Sequence, residues 1–436
     1  MEISEIEGRI DELRKELQYI SKSMQMQSLS SAYRSYRLRN EIIEDRMRRR
    51  FRENRRPINV SYYVHIVDQL SYPLLDKMKV DPDFNIKLLA STPSQVNFLR
   101  SRGYSAYIIH SKEADYPDLC QNKNEDIADI CFSEMPYGIL PSLEDNIRPW
   151  MISGGWLPKY RDIFSLEEIN QSLFCLVRYS YTLANEWVWL KANPKMNVHY
   201  CIPYENFSWL YFLESEEHLK YALSRNYWGN VSNYVVSGYP KYDAYLRDPV
   251  QPRDFSWKHD RDKKKRIVYT PHFFRSNEFL EETCKSLLDL ANTGNYEIVF
   301  KPHPNPNAIV DKYYTAFNSH QNAQVVRHSD SSQYIFSTSD LAIISSVSMH
   351  ADAVFSGIPF ISELDEDNFN DIGKIFQSTG YALNNEQGLR HTIERILSGG
   401  DDRWGKRIDL RDGFLPPNRS TASDNVISSI KERILN

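Results

Sequence analysis

The stretch Tyr-Glu-Ile-Val-Phe-Lys-Pro-His-Pro, residues 296–304, is an apolar run that ends in a lysine and a histidine flanked by prolines. Residues 340–352, Asp-Leu-Ala-Ile-Ile-Ser-Ser-Val-Ser-Met-His-Ala-Asp, follow a similar plan, because an apolar run enters a serine-rich turn and then a helical pattern. Short apolar runs that alternate with helices are typical of a parallel α/β sheet. Ligands of such sheets bind beyond the carboxyl ends of the strands. The two stretches therefore predict both the fold and one edge of its binding site.

The same alternation extends outward through both halves of the chain. Predicted strands of the first half lie at 58–67, 84–91, 105–110, 127–136, 196–204 and 234–240. Those of the second half lie at 265–273, 296–304, 323–328, 340–346 and 358–363. Residues 166–192 are predicted to be largely helical, and 247–265, with two prolines and dense charge, predict a linker or surface loop.

We therefore expect an α/β protein of the GT-B type, in which two Rossmann-like doubly wound domains face a cleft. The expected bounds are 58–250 for an N-terminal Rossmann-like domain and 251–436 for a C-terminal one.

Two helical segments precede these domains. Residues 1–27 predict a coiled coil, because apolar residues recur at alternating intervals of three and four. The seam consists of Ile3, Ile6, Ile10, Leu13, Leu17, Ile20 and Met24. Residues 28–57 predict a basic helical arm, whose segment 33–56 carries ten arginines and four acidic residues. The arm can bind an anionic membrane surface, or it can link the coiled coil to the body and pair with acidic surface. The coiled coil predicts a homo-oligomer.

Composition excludes some classes of protein. The 436-residue chain has a net charge of −5, so it lacks the overall positive charge of a nucleic-acid-binding protein. Its five cysteines form no Cys-x-x-Cys pair, which favours a reducing compartment. No secretory leader and no stretch of 18 apolar residues is evident. We expect a cytoplasmic protein, either free or peripheral on the inner face of the cell membrane.

The chemistry-bearing residues lie at predicted strand ends. His303, held between prolines, can donate to a phosphate oxygen or protonate a leaving group, and Lys301 adds positive charge. Free amides and hydroxyls at Ser345, Ser346 and Ser348 open a helix, and such a helix start can bind phosphate. The same serines can instead be ordinary helix caps, and His303 can be an ordinary turn residue.

Taken together, the two motifs resemble the CDP-glycerol glycerophosphotransferase family of teichoic acid and capsule polymer transferases. That family has a Lys-Pro-His-Pro strand end and an Asp-Tyr-Ser-Ser-x-x-x-Asp turn, with a proline seven residues later. The matching positions are His303, Pro304, Ser348, Asp352 and Pro359, while Ser345, Ser346 and Val347 replace the first three turn residues. The segment 237–243 resembles the family's Gly-Tyr-Pro-x-x-Asp.

The first half departs from the family. The Trp-His-Gly-Thr motif, whose histidine is a proposed base, is absent, and His-Tyr-Cys-Ile-Pro-Tyr-Glu stands at 199–205. With Met-Pro-Tyr-Gly at 135–138, this resembles a capsule-associated branch. Four residues are candidates for the acceptor-side base: Asp68, Glu134, Glu205 and His272. Glu134, Tyr137 and Tyr204 are expected on the acceptor side.

The resemblance implies that an acceptor hydroxyl attacks a nucleotide-activated donor, with a CDP-linked donor favoured. Asp352 would orient the turn or contact the nucleotide, and Glu363 would bind a ribose hydroxyl. No obligatory metal or other cofactor is expected. Three alternatives stay open: a nucleotide-sugar glycosyltransferase of the Kdo or another type, a sugar-nucleotide 2-epimerase, and a non-catalytic coiled-coil scaffold.

Overall fold

The computed structural model describes residues 33–64, 71–120, 127–134, 160–178, 181, 183–184, 202–225, 231–249, 251–252, 255–272, 276–302, 308–326, 332–383, 388–414 and 421–435. The predicted coiled coil lies outside these ranges. None of the helices within them has both the length and the apolar composition that a membrane span requires.

The first half forms a parallel sheet. Its strands are β1 Ile58–Val64, β2 Phe84–Ala90, β3 Ala106–Ile108, β4 Ile130–Ser133, β5 Leu173–Val177, β6 Leu210–Leu213 and β7 Tyr234–Val236. Its helices are α1 at residues 33–53, α2 Tyr72–Val80, α3 Pro93–Ser101, α4 Tyr160–Ile163, α5 Leu166–Gln171, α6 Ile202–Phe207 and α7 Glu216–Arg225. The strand order is β3-β2-β1-β4-β5-β6-β7, so the winding reverses between β1 and β4.

The second half repeats this plan. Its strands are β8 Lys265–Thr270, β9 Tyr296–Phe300, β10 Ala323–Val325, β11 Leu341–Ile344, β12 Phe360–Ser362 and β13 Tyr381–Ala382. Its helices are α8 Asn277–Asn292, α9 Ala308–Ser319, α10 Ser332–Thr338, α11 Met349–Ser356, α12 Asp371–Ser378, α13 Gly388–Leu397, α14 Trp404–Phe414 and α15 Ala422–Ile434. The order β10-β9-β8-β11-β12-β13 reverses between β8 and β11. The prediction of two doubly wound α/β domains is confirmed.

Each sheet has an apolar core on both faces, because helices cover both sides of a parallel sheet. The helix α15 crosses back to the first domain, where Val426, Ile430 and Ile434 enter the core that contains Ile58 and Leu74. The bounds of the domains stay a prediction, since the segment assigned to the second domain supplies a core helix of the first.

The helix α1 lies across the amino ends of the first sheet's strands. The guanidinium of Arg39 donates to the carbonyl oxygens of Ile169 and Ser172, just before β5. The amide of Asn40 donates to the carbonyl of Phe207, at the end of α6 and just before β6, over 3.0 Å. Five side chains of α1 are buried in the two cores: Tyr33, Tyr36, Ile43, Met47 and Phe51. Each such burial contributes about 1.5–3 kcal/mol, so residues 33–53 of the basic arm form an integral helix of the first domain.

Two secondary-structure predictions are wrong. Residues 166–192 were predicted to be largely helical, but Leu173–Val177 is the strand β5, buried along its whole length. A fully buried strand does not alternate, so hydrophobic periodicity cannot separate it from a buried helix. Residues 202–204 of the predicted strand 196–204 begin the helix α6, whereas 196–201 lie outside the described residues. The strands β6 and β13 were not predicted.

Candidate functional site

The predicted donor-side residues meet at the carboxyl edge of the second sheet, where the strand order reverses. The amide of Ser345, which follows β11, donates to the carbonyl of Thr270 at the end of β8 over 3.1 Å. The amide of Lys301, which follows β9, donates to the carbonyl of Tyr269 over 2.8 Å. His272 follows Thr270 by two residues and is buried. His303 lies outside the described residues, two positions beyond Lys301.

Glu363 holds the serine turn, residues 345–348, through a buried hydrogen bond. This fully buried carboxylate follows β12 and accepts the hydroxyl of Ser345 and, over 2.8 Å, the hydroxyl of Thr283. Its amide donates to the carbonyl of Ile344 over 2.9 Å. Glu363 is therefore next to the turn as expected, and its role in ribose binding stays a prediction.

Two hydroxyls of the turn lie closer to solvent. Ser346 and Ser348 are partly exposed, unlike Ser345. Ser348 holds the N-cap position of α11, yet its side chain makes no capping hydrogen bond. The interpretation of Ser348 as an ordinary capping residue is thus not supported, and its hydroxyl can donate to a ligand at the start of α11.

His350 is a structural residue of the turn to which the sequence assigned no role. Its Nδ1 lies 3.0 Å from the carbonyl oxygen of Ser346, so Nδ1 carries the proton, and its Nε2 accepts from the hydroxyl of Ser362 at 2.9 Å. Burial lowers the pKa of His350 from 6.5 to about 4. The imidazole therefore stays neutral and locks the turn to β12.

Asp352 faces the connection between the domains. Its carboxylate accepts the hydroxyl of Tyr245 over 2.7 Å and that of Tyr242 over 3.2 Å, and the ammonium of Lys241 lies 4.0 Å away. All three partners belong to or adjoin the motif at 237–243. Of the two predicted roles, this arrangement favours orientation of the turn.

The same motif holds α15. The buried carboxylate of Asp243 accepts the amides of Ala422 and Ser423, both at 2.8 Å, and the hydroxyl of Ser423 at 2.5 Å. Burial raises the pKa of Asp243, against the effect of these hydrogen bonds. The motif thus connects the start of α15 to the donor-side turn.

On the first sheet, Glu134 follows β4 next to β1, where the strand order reverses. Its Oε1 accepts the amide of Ser71 at 3.1 Å and the hydroxyl of Tyr62 at 3.0 Å. Its Oε2 is buried and has no hydrogen-bond partner among the described residues. Burial raises the pKa of Glu134 from 4.5 to about 8, and the charge of Lys241 opposes that rise. A buried carboxylate oxygen with no donor can accept one from a ligand.

Glu205 is held differently. It is fully buried, with Oε2 accepting the hydroxyl of Tyr234 at 3.0 Å and Oε1 lying 3.5 Å from the guanidinium of Arg178. Both oxygens are thus engaged by protein groups. Asp68 and Tyr137 lie outside the described residues, and so does the side chain of Tyr204 in α6.

The described residues therefore bring Lys301, His272 and the serine turn together, and they place Glu134 at the corresponding edge of the other sheet. The ammonium of Lys241 lies 4.0 Å from Asp352, and its charge also acts to lower the pKa of Glu134, so one lysine interacts with a carboxylate at the edge of each sheet. Within the described ranges, no three His, Cys, Asp or Glu side chains converge as metal ligands.

These features define a two-domain α/β protein of the GT-B type, with polar side chains at the carboxyl edges of both sheets. Residues 192–349 match the family described as CDP-Glycerol:Poly(glycerophosphate) glycerophosphotransferase. The match confirms the resemblance over the middle third of the chain. It includes Glu205, the motif at 237–243, Lys301 and the serine turn.

A curated relative points the same way. The chain is 22% identical over 274 residues to the minor teichoic acid biosynthesis protein GgaB of Bacillus subtilis (strain 168). The match covers 57% of this chain but only 28% of GgaB, so the chain spans less than a third of that relative's length.

Solved structures support the fold. The wall teichoic acid polymerase TagF has a TM-score of 0.53 at 14% identity, with 98% of each chain covered. The UDP-GlcNAc 2-epimerase from Neisseria meningitidis, solved with UDP-GlcNAc, has a TM-score of 0.57 at 12% identity, with 86% of this chain and 100% of that chain covered. At these identities the similarity establishes a common GT-B-like architecture.

Proposed function

We propose that the chain transfers a polyol phosphate, such as glycerol phosphate, from a CDP-activated donor to a hydroxyl group of a growing cell-surface polymer. The observation that carries the proposal is the match of residues 192–349 to a glycerophosphotransferase family, because it includes the serine turn and the motif that connects the domains. The name of the Bacillus relative supports a polymer of the teichoic acid type.

The donor binds at the carboxyl edge of the second sheet. Lys301 and His303 supply positive charge and a proton donor, while Ser346 and Ser348 donate to phosphate oxygens. Such fixed donors stabilise the charge that develops on a leaving phosphate. Glu363 and Asp352 position the turn, the former through Ser345 and the latter through the connection between the domains.

On the acceptor side, Glu134 takes the proton of the attacking hydroxyl. Its Oε1 is fixed by Ser71 and Tyr62, so Oε2 can accept the acceptor's O–H. A general base works best with a pKa near the operating pH, and the pKa of about 8 meets this condition. As the O–H bond breaks, the oxygen bonds to the β-phosphorus, the bond from that phosphorus to the bridging oxygen breaks, and CMP leaves. Asp68 stays an alternative base.

The test is the release of CMP from CDP-glycerol by the His303→Ala variant. We expect turnover at least about 100-fold below that of the original chain, the typical contribution of a general acid or base, with unchanged thermal stability. His320→Ala is the matched control, because His320 adjoins the amino end of β10 at the opposite edge of the same sheet. Undiminished turnover in His303→Ala would exclude the assigned role.

A nucleotide-sugar glycosyltransferase is the second candidate. Ser345 stands where the family's turn has an aspartate, and its hydroxyl is engaged by Glu363, so the donor-side turn departs from the family's chemistry. Thermal-shift measurements with CDP, CMP, UDP, GDP and ADP separate the candidates, since a ligand at 100 times its Kd stabilises by about 2.7 kcal/mol. Selective stabilisation by CDP or CMP supports a cytidine donor. Stabilisation by UDP or GDP alone favours the glycosyltransferase, and no shift with any nucleotide favours the scaffold.

The remaining partners are also proposals. The protein acts in the cytoplasm on a polymer or lipid-linked acceptor, and residues 3–24 join copies of the chain. Contact between residues 33–56 and an anionic membrane would use the outward face of α1, where Leu38 is 58% and Ile42 is 51% exposed. That face lies at the amino edge of the first sheet, away from Glu134.

A further inference from the structure

A small pocket lies between α1 and the amino edge of the first sheet, at the opposite end of the strands from Glu134. Its volume is about 240 Å³, and three arginines line it together with Asp129 and Gln171: Arg46, Arg50 and Arg56. Three guanidinium groups and one carboxylate leave two positive charges in excess. The donor and acceptor sites assigned above do not use this pocket.

Two of the arginines are held in place. The guanidinium groups of Arg50 and Arg56 both donate to the same oxygen, Oδ1, of Asp129, which is 2% exposed. The other carboxylate oxygen accepts the amide of Asn59 at 2.9 Å. Both guanidinium groups also lie near the ring of Phe51, at 5.6 and 5.3 Å from its centroid. Because Arg50 and Arg56 share the single negative charge of Asp129, the three side chains together keep one uncompensated positive charge.

The third arginine has no such partner. The side chain of Arg46 is exposed and makes no ion pair or hydrogen bond to another described residue. The side chain of Arg49, three residues further along α1, pairs with Asp45. Cations are favoured near the carboxyl end of a helix, and this accounts for arginines in the segment. That preference does not explain why three arginines line one pocket that contains a single acidic residue.

We propose that this pocket is a binding site for a phosphate group, separate from the donor-binding edge. Guanidinium groups bind phosphate oxygens with two parallel hydrogen bonds. Two excess charges match a phosphate monoester or two adjacent diesters of a polyanion. Phosphates of this kind occur in a polyol-phosphate polymer and in a lipid headgroup.

The inference that the bound phosphate belongs to the polymer rests on the proposed function, whereas the inference of a phosphate site does not. The strand β4 runs from Asp129, which lines the pocket, to Glu134 at the other edge. These two residues are five positions apart, a distance of about 17 Å at 3.3 Å per residue. A polymer longer than this can occupy both places at once, so the pocket would retain a grown acceptor between transfers and raise its effective concentration at the cleft.

The experiment compares Arg46→Glu with Arg49→Glu in the full chain, because both remove an exposed arginine of α1 and only Arg46 lines the pocket. The first probe is a fluorescent short-chain polyphosphate. We expect Arg46→Glu to weaken binding about tenfold, the effect of one lost charge-assisted hydrogen bond, and to flatten the salt dependence. Arg49→Glu should change affinity less than about twofold. Equal weakening in both variants, or none in Arg46→Glu, would overturn the site.

The second arm identifies the source. Vesicles that contain phosphatidylglycerol replace polyphosphate, and binding that falls in Arg46→Glu alone assigns the pocket to lipid headgroups. If instead only transfer to long acceptors falls, while transfer to short acceptors is unchanged, the source is the polymer. The polyphosphate measurement needs no turnover, so the phosphate site can be confirmed even if the proposed transfer reaction is wrong.

Discussion

Replacing Glu134 with glutamine should stabilise the protein above pH 8 while it abolishes transfer. The ionised carboxylate is buried, and burial raises its pKa from 4.5 to about 8. In the folded chain the proton is therefore retained over a pH range in which the unfolded chain loses it. Below pH 4.5 both states are protonated, so the group does not alter the free energy of unfolding. That free energy falls as the pH rises from 4.5 to 8, and it is constant above that range.

The magnitude follows from the pKa difference. Each pKa unit corresponds to 1.36 kcal/mol, so ionising Glu134 costs the fold on the order of 5 kcal/mol above pH 8. Glutamine has almost the same shape, and its carbonyl oxygen can still accept from Ser71 and Tyr62. We expect the Glu134→Gln variant to gain about 2–4 kcal/mol at pH 9 and almost nothing at pH 4.5.

The assay is urea unfolding of both proteins at pH 4.5, 7 and 9, together with CMP release at the same pH values. Glu168→Gln is the control for loss of a buried carboxylate in the same domain, because Glu168 accepts from Ser61 and from the amide of Ser165. This control should lose stability and retain turnover. If Glu134→Gln is no more stable than the original chain at pH 9, the buried-carboxylate account fails. If it retains full turnover, the role as base fails.

Further predictions concern the supports of the site. Asp243→Ala should destabilise the fold by about 3 kcal/mol and lower hydrogen-exchange protection in α15, since buried donors including the hydroxyl of Ser423 lose their acceptor; unchanged protection would contradict this role. Arg39→Ala should cost about 2 kcal/mol in thermal unfolding and Arg39→Lys should not restore it, because an ammonium cannot reproduce the guanidinium's paired bonds to backbone carbonyls, such as that of Ser172. His350, whose pKa falls from 6.5 to about 4, contributes stability that is complete above pH 6.5 and decreases toward pH 4 by about 3 kcal/mol. Unfolding of His350→Phe should lack that pH dependence, and an unaltered slope would contradict it.

The sequence predicted the elements whose signal is local. Apolar runs identified β1, β2, β8, β9 and β11, and the polar turns after them placed Lys301 and Ser345 at one edge. Because parallel strands present their carboxyl ends at the same edge, strand identity alone brought these residues together. The run Leu173–Val177 was missed, since a strand buried on both faces carries no alternation to distinguish it from a helix.

The sequence could not choose among the acceptor-side carboxylates. Glu134 and Glu205 both lie near the end of a predicted strand, so the sequence does not distinguish them. They differ in the hydrogen-bonding and charged partners that other parts of the chain supply. Glu134 meets Tyr62 and Ser71, whereas Glu205 meets Arg178 and Tyr234. For the same reason residues 28–57 could be recognised as a basic helical arm, but the surface of the first domain that its helix covers could not.

The return of α15 to the first domain has a consequence for synthesis on the ribosome. The last strand of the first sheet ends at Val236, yet the core of that sheet also contains Val426, Ile430 and Ile434. At about 5–20 residues per second, roughly 10 to 40 s separate translation of these two parts. During that interval the groove that α15 later fills stays open and apolar, so the nascent first domain is a substrate for chaperones until the helix emerges.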